Sequence, residues 1–98
     1  MSVYVDDMEA PFRGMKMCHM IADTRRELDA MADAIGVKRK WRQKSGTAGE
    51  HYDICLSKRK LAVERGAIEL SMFDLGKKTL RRRKRGKEAR QEYFEETT

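Results

Sequence analysis

The chain has 98 residues, 39% of them charged and 40% apolar, with a formal net charge of +6. That length allows one domain with a thin margin between apolar burial and chain entropy, a margin that pairing as a homodimer would widen, while the apolar fraction permits a core and excludes a disordered chain. No stretch approaches a membrane span, and the opening MSVYVDDMEA carries acid where an export signal needs basic and then apolar residues, so a cytoplasmic protein without membrane contact is expected.

The segment SVYVD is β-branched and aromatic, and it predicts a first strand from about Ser2 to Val5. Pro11 and Gly14 then mark an irregular connection. Met17 to Ala22, MCHMIA, is an apolar run of the length of a buried strand. Cys18 within it and Cys55 further on have no disulfide spacing and read as small buried hydrophobes. Thr24 and Glu27 form a capping box for a first helix, Leu28, Met31, Ala32 and Ile35 fall on one face of it, and Gly36 supplies its C′ position.

After Gly36, the alternation of Val37, Arg39 and Trp41 with Lys38, Lys40 and Arg42 predicts a short strand toward a sheet edge. Lys44 to Glu50, KSGTAGE, has the composition of a mobile loop whose glycines would let it fold over a ligand. Ser57 reads as the cap of a second helix that buries Leu61, Ala62 and Val63 and stops at Gly66. Ala67 to Leu70 predicts another strand, and Ser71 with Asp74 opens a third helix.

This order predicts an α/β fold over residues 1–76, with a three- to four-stranded sheet, mixed or mostly parallel, covered by two to three helices. A basic helical or disordered tail over residues 77–98 follows; residues 77–90 hold nine Lys/Arg against one Glu, which leaves −2 for the rest of the chain. Ligands collect beyond the carboxyl ends of parallel strands. If residues 37–42 are the strand between the first two helices, Asp23, Thr24 and the whole His51 to Arg59 segment meet at that end. The first two strands are joined by nine residues, fewer than a parallel helical crossover uses, so an antiparallel pairing is expected, with Asp6 and Asp7 near Met17 to His19. A looping parallel connection would instead gather Asp6, Asp7, Asp23 and Asp53 at one edge.

The leading functional reading is a pocket for a phosphate-bearing small molecule or nucleotide. Two helix starts, Thr24 with Arg25 and Arg26, and Ser57 with Lys58 and Arg59, would offer N–H donors and cations to phosphate oxygens beside Asp23, and Tyr52 or Trp41 would stack on a base. Hydrolysis of such a ligand would use His51 or His19 as acid or base, with Asp53 orienting a ring or holding a metal. Asp6 and Asp7 with Asp23 are candidates for Mg²⁺, although adjacent strand residues point to opposite faces unless the chain bends. A zinc set of Cys18, His19, His51 and Cys55 is disfavoured, because neighbours Cys18 and His19 diverge on a strand. The bland reading is that the hydroxyls only cap helices and His19 is a hydrogen-bonded core residue. The alternative function is a nucleic-acid accessory protein in which Lys77, Lys78, Arg81, Arg82, Arg83, Lys84 and Arg85 neutralise DNA or RNA phosphates without reading sequence.

VYVDDM, CHMIADT followed by ELDAMADAIGV, a Lys/Arg-Trp segment, HYDICLSKR and GAIE together resemble a small bacterial and phage family known as domain of unknown function 4031. The likeness covers roughly residues 1–75. It implies that Asp6, Asp7, His19, Asp23, His51, Tyr52, Asp53 and Arg59 occupy motif positions of that pattern, and it implies no activity.

Overall fold

Cys18, Met20 and Ala22 are buried on one side of a single eight-residue strand, and His19 and Ile21 alternate with them on the other, the period-2 pattern of a strand with two covered faces. This strand is the centre of the computed structural model, which describes residues 2–82. In chain order the elements are β1 (Val3–Val5), β2 (Ala10–Phe12), β3 (Met15–Ala22), α1 (Arg25–Ile35), a 3₁₀ turn (Arg39–Trp41), β4 (Tyr52–Cys55), α2 (Leu56–Glu64) and β5 (Ile68–Glu69). A last helix, α3, runs from residue 72 to the end of the described chain at residue 82.

The five strands form one mixed sheet, antiparallel throughout except for the β1–β5 pair. Met17 pairs with both Ala10 and Cys55, and Met20 with both Val5 and Tyr52, so β4 takes one edge of β3 while β1 and β2 share the other. Between the registers Val5↔Met20 and Ala10↔Met17, the outer chain spends five steps on three of β3. Two residues are therefore extruded as a bulge, and Glu9 takes a positive φ of 51° to close it. The expected irregular connection at Pro11 and Gly14 is in fact the hairpin arm β2, turned by Arg13 (φ 50°) and Gly14 (φ 77°). Both turn residues have positive φ, as a two-residue type I′ hairpin requires, and Pro11 lies on an outer strand where its missing N–H costs little.

The β1–β3 pairing is antiparallel as expected, but the β3–β4 pairing is antiparallel too, with consequences for the site. α1 starts beyond the Ala22 end of β3, whereas α2 starts beyond the Met17 end. The two helix N-termini thus lie at opposite ends of the sheet, and the expected common hollow between them does not form. Residues 37–42 do not supply an intervening strand. They make the 3₁₀ turn, with Trp41 N–H donating to Lys38 C=O and Arg42 N–H to Arg39 C=O. Both edges of β3 are already taken, and four cations in six residues would repel one another on a sheet edge.

α1 and α2 cover one face of the sheet and make the main core, with Val5, Met20, Ile54 and Tyr52 against Leu28, Ala32 and Ala62. Thr24 caps α1, its Oγ accepting from Glu27 N–H at 3.2 Å, and Gly36 at φ 80° ends it. α2 departs from expectation in two ways. Its N-cap residue is Cys55 with no side-chain cap bond, so Ser57 lies inside the helix, and Leu61 is exposed while Ala62 is buried. α3 covers part of the opposite face, where Tyr4, Ile21 and Leu75 form a second, smaller cluster. Its first turn is held by Ser71, which accepts from Asp74 N–H at 3.1 Å, and by Asp7, which accepts from Met72 N–H at 2.8 Å. No helix among the described residues is long and apolar enough to cross a membrane.

Candidate functional site

Opposite residues of an antiparallel pair present their side chains to the same face, and β3 and β4 set His19 directly against Asp53. His51 precedes Asp53 by two residues and is tied into the sheet by an isolated bridge to Gln43, so it faces the same way. These three side chains meet on the face that α3 covers only in part. Asp53 Oδ1 lies 3.3 Å from His51 Nε2 and 3.9 Å from His19 Nε2, and the three atoms all fall within 4.8 Å of one another. The imidazoles stand edge to face, 5.1 Å between centroids and 75° between planes.

The outer nitrogens determine what the inner ones can do. His51 Nδ1 lies 2.7 Å from Gly49 C=O, which can only accept, and His19 Nδ1 lies 2.7 Å from the carboxylate oxygen Asp6 Oδ2. Each Nδ1 therefore carries a proton, and in the neutral form of each ring Nε2 presents a bare lone pair to Asp53. Asp53 Oδ1 is accordingly buried without a hydrogen-bond partner, while Oδ2 accepts from the Gln43 side-chain amide at 2.7 Å.

Three carboxylates that support the site, Asp6, Asp29 and Glu50, are buried. Asp6, fully buried at the start of the bulge, accepts from His19 N–H (2.8 Å) and Met8 N–H (3.2 Å) as well as from the imidazole. Arg59 of α2 donates to the Asp6 carbonyl at 2.7 Å and pairs with Glu69 at 2.8 Å, which fixes the bulge from below. The loop 44–50, expected to be mobile, winds around the buried carboxylate of Glu50, which takes Arg25 (2.8 Å), Gly46 N–H (3.3 Å) and Arg42 (3.3 Å). Arg42 also reaches Asp29 at 2.5 Å, and Asp29 accepts the Tyr52 hydroxyl at 2.7 Å. Burial pushes the Asp29 carboxyl up, but the bonds from Arg42 and Tyr52 outweigh it and hold the group below its ordinary value. Burial, together with that same bond, pushes the Tyr52 phenol up to about 12.

Of the other sequence candidates, most have structural work. Tyr52 is wholly buried and cannot stack on a base. Asp23 accepts from Ser2 N–H and the Tyr4 hydroxyl, Thr24 caps α1, Arg25 pairs with Glu50, and Asp7 caps α3. Ser57 contacts Cys55, and Lys58 lies against Gly36. Cys18 points into the core, on the face away from His19, where burial raises its thiol, so it joins no ligand set. In the basic tract, Lys77 lies over Phe73, Lys78 over Tyr4, and Arg82 donates to Ala22 C=O, which folds this stretch onto the body. Arg81 is exposed, and Arg83, Lys84 and Arg85 lie outside the described residues. Gln43, Glu50, Asp29 and Arg42 escaped sequence reasoning. Glu50 and Asp29 are charges inside otherwise local patterns, and their partners are many residues away.

The cluster lies between two hollows. A cleft of about 280 Å³ against α3 is floored by His19 and His51 and flanked by Lys44 and Thr79. On the Asp53 side a groove of about 620 Å³ runs under the β2–β3 hairpin toward Trp41. A family model described as Protein of unknown function (DUF4031) matches residues 3–85. No curated protein and no solved structure matches the chain.

Proposed function

The chain belongs to the DUF4031 family, and we propose that it is a metal-dependent enzyme that hydrolyses a phosphate-bearing small molecule or nucleotide at an ion held by His19, His51 and Asp53. One observation carries the reading: the Nε2 atoms of two imidazoles converge on a buried carboxylate oxygen that receives no hydrogen bond. Three lone pairs facing one another repel unless a proton or a metal cation lies among them, and the convergence of three donors on one point favours the metal. A tetrahedral ion with bonds of about 2.0–2.1 Å sets its ligands about 3.4 Å apart; the observed edges are 3.3 and 3.9 Å, with all three atoms within 4.8 Å, so the donors would draw in slightly on an ion. Asp6 and Gly49, holding the far side of each ring, are the outer partners that metal-bound histidines characteristically have.

Two imidazoles and one carboxylate suit Zn²⁺, Fe²⁺ or a similar transition ion, whereas Mg²⁺ prefers oxygen ligands alone. The reading therefore moves the metal from Asp6 and Asp7 to the histidine cluster and changes its identity. Three protein ligands would leave such an ion one position open, where it would supply Lewis acidity and a water nucleophile at neutral pH, and its residual charge of +1 would favour a phosphate. In the hydrolysis so supported, the water oxygen would attack phosphorus as the ester P–O bond breaks, and the proton released by water would end on the leaving oxygen, giving an alcohol and free phosphate.

Zinc titration of the chelator-stripped protein by calorimetry tests this. The expected result is one ion per chain, binding lost in His19→Ala and His51→Ala, and turnover on a phosphoester panel abolished in His51→Ala with the metal-free melt nearly unchanged. Absence of stoichiometric binding, or binding in both variants as tight as in the wild type, refutes the metal centre. Binding without turnover on any ester refutes the hydrolytic part alone.

A further inference from the structure

The groove on the Asp53 side has the shape and chemistry of a recognition site. Its walls are Pro11, Phe12, Met15, Met17, Val37 and Trp41, and its inner end is formed by Gln43 and Asp53, the residues at one corner of the metal cluster. Trp41 is 61% exposed and Phe12 52%, which is a large aromatic surface to leave in water on so small a domain. Both rings carry cations: Lys40 Nζ lies 5.1 Å from the indole centroid and the Arg13 guanidinium 5.3 Å from the Phe12 centroid. A shallower hollow sharing Met15, Met17, Val37, Trp41 and Asp53 adds Lys38 and Lys58. The lining of the two hollows thus combines aromatic and thioether surface with cations, and its single carboxylate is the one assigned to the ion.

We propose that this groove holds the base of a nucleotide, stacked on Trp41, while its phosphate reaches the ion at His19, His51 and Asp53. The inference rests on the metal reading and specifies its substrate class. A volume of about 620 Å³ lies within the usual range for small-molecule sites and accommodates a purine with its ribose. A planar π-face suits an exposed indole and polarisable methionines better than a flexible chain does, because flat rings stack at little entropic cost. The cations at the groove and the net positive ion select a ligand that is anionic at one end. A free base lacks that anion, and a sugar phosphate lacks the aromatic base.

Trp41 is the only tryptophan of the chain, so its emission reports on the groove directly. The experiment adds adenosine 5′-monophosphate, ribose 5-phosphate and hexyl phosphate to zinc-loaded protein, with calorimetry for variants lacking the fluorophore. Adenosine monophosphate is expected to quench Trp41 and to bind at least about 5-fold tighter than either phosphate without a base, the low end of base stacking on an aromatic side chain. Trp41→Leu keeps the apolar cover but loses the indole. It is expected to remove that advantage while zinc and ribose 5-phosphate bind as before, and Trp41→Phe is expected to restore part of it. Equal affinities for the three phosphates, or an advantage that survives in Trp41→Leu, overturns the inference and leaves the metal centre standing. Quenching by adenosine monophosphate in a protein that retains no zinc refutes the metal centre and keeps the groove.

Discussion

Replacing Asp6 by Asn tests whether the buried carboxylate under His19 decides how that ring would bind the proposed ion. The side chain makes three hydrogen bonds, from His19 N–H, Met8 N–H and His19 Nδ1, and is fully buried. An amide has one oxygen, so one side of the residue must now present N–H. If the amide oxygen keeps the two backbone donors, its NH₂ faces Nδ1, the imidazole changes tautomer, and Nε2 acquires the proton that blocks a ligand bond. If instead the oxygen faces Nδ1, two backbone N–H groups confront an NH₂, and fold stability falls by about 1–3 kcal/mol. For outer partners of metal-bound histidines the loss in metal affinity is about 10- to 100-fold, or about 1.4–2.7 kcal/mol. Competition against a colorimetric chelator measures the zinc affinity, and ¹⁵N chemical shifts of His19 report its tautomer. Affinity within twofold of the wild type, with the tautomer of His19 and the thermal melt both unchanged, would refute the reasoning.

Tyr52→Phe removes a 2.7 Å bond inside the core, leaves Asp29 with Arg42 alone, and is expected to cost about 1–2 kcal/mol, or roughly 5–10 °C in Tm by circular dichroism; an unchanged melt would contradict a structural role for the phenol. Because Asp29 is held below its ordinary value of 3.8, its contribution is present above that pH and fades as pH falls further, so urea midpoints should drop between pH 4 and 2. Tyr52 works in the opposite sense: with its phenol pushed from 10.0 to about 12, its contribution is complete below pH 10 and is lost on rising through 12, and Tyr52→Phe should lack this alkaline loss. Gly36→Ala should cost about 1 kcal/mol in chemical denaturation because the residue has φ 80°; the added Cβ would lie 3.1 Å from Lys58 Nζ, a flexible tip that can swing away, so the backbone dominates.

Much of the scaffold is written locally. The box at Thr24 and Glu27, the apolar stripe Leu28, Ala32 and Ile35, and the Gly36 stop act within one helix and need no distant partner, and α1 forms where they indicate. The spacing of His51 and Asp53 is equally local, since two strand residues separated by one must share a face. The cations of residues 37–42 also carried a local warning against a strand, which their alternation obscured.

From its own order of residues the chain thus determines one helix, its central strand, the opening of α3 and two of the three side chains, His51 and Asp53, that meet at the candidate site. Tertiary structure alone decided that His19 stands opposite Asp53 across a separation of 34 residues, that Asp6 lies beneath it in a bulge, and that the starts of α1 and α2 point to opposite ends. The reason is register. A strand's side-chain pattern tells which residues share a face but not which strand lies alongside, and that choice falls to whichever pairing buries the apolar faces of β1, β3 and β4 together under α1 and α2.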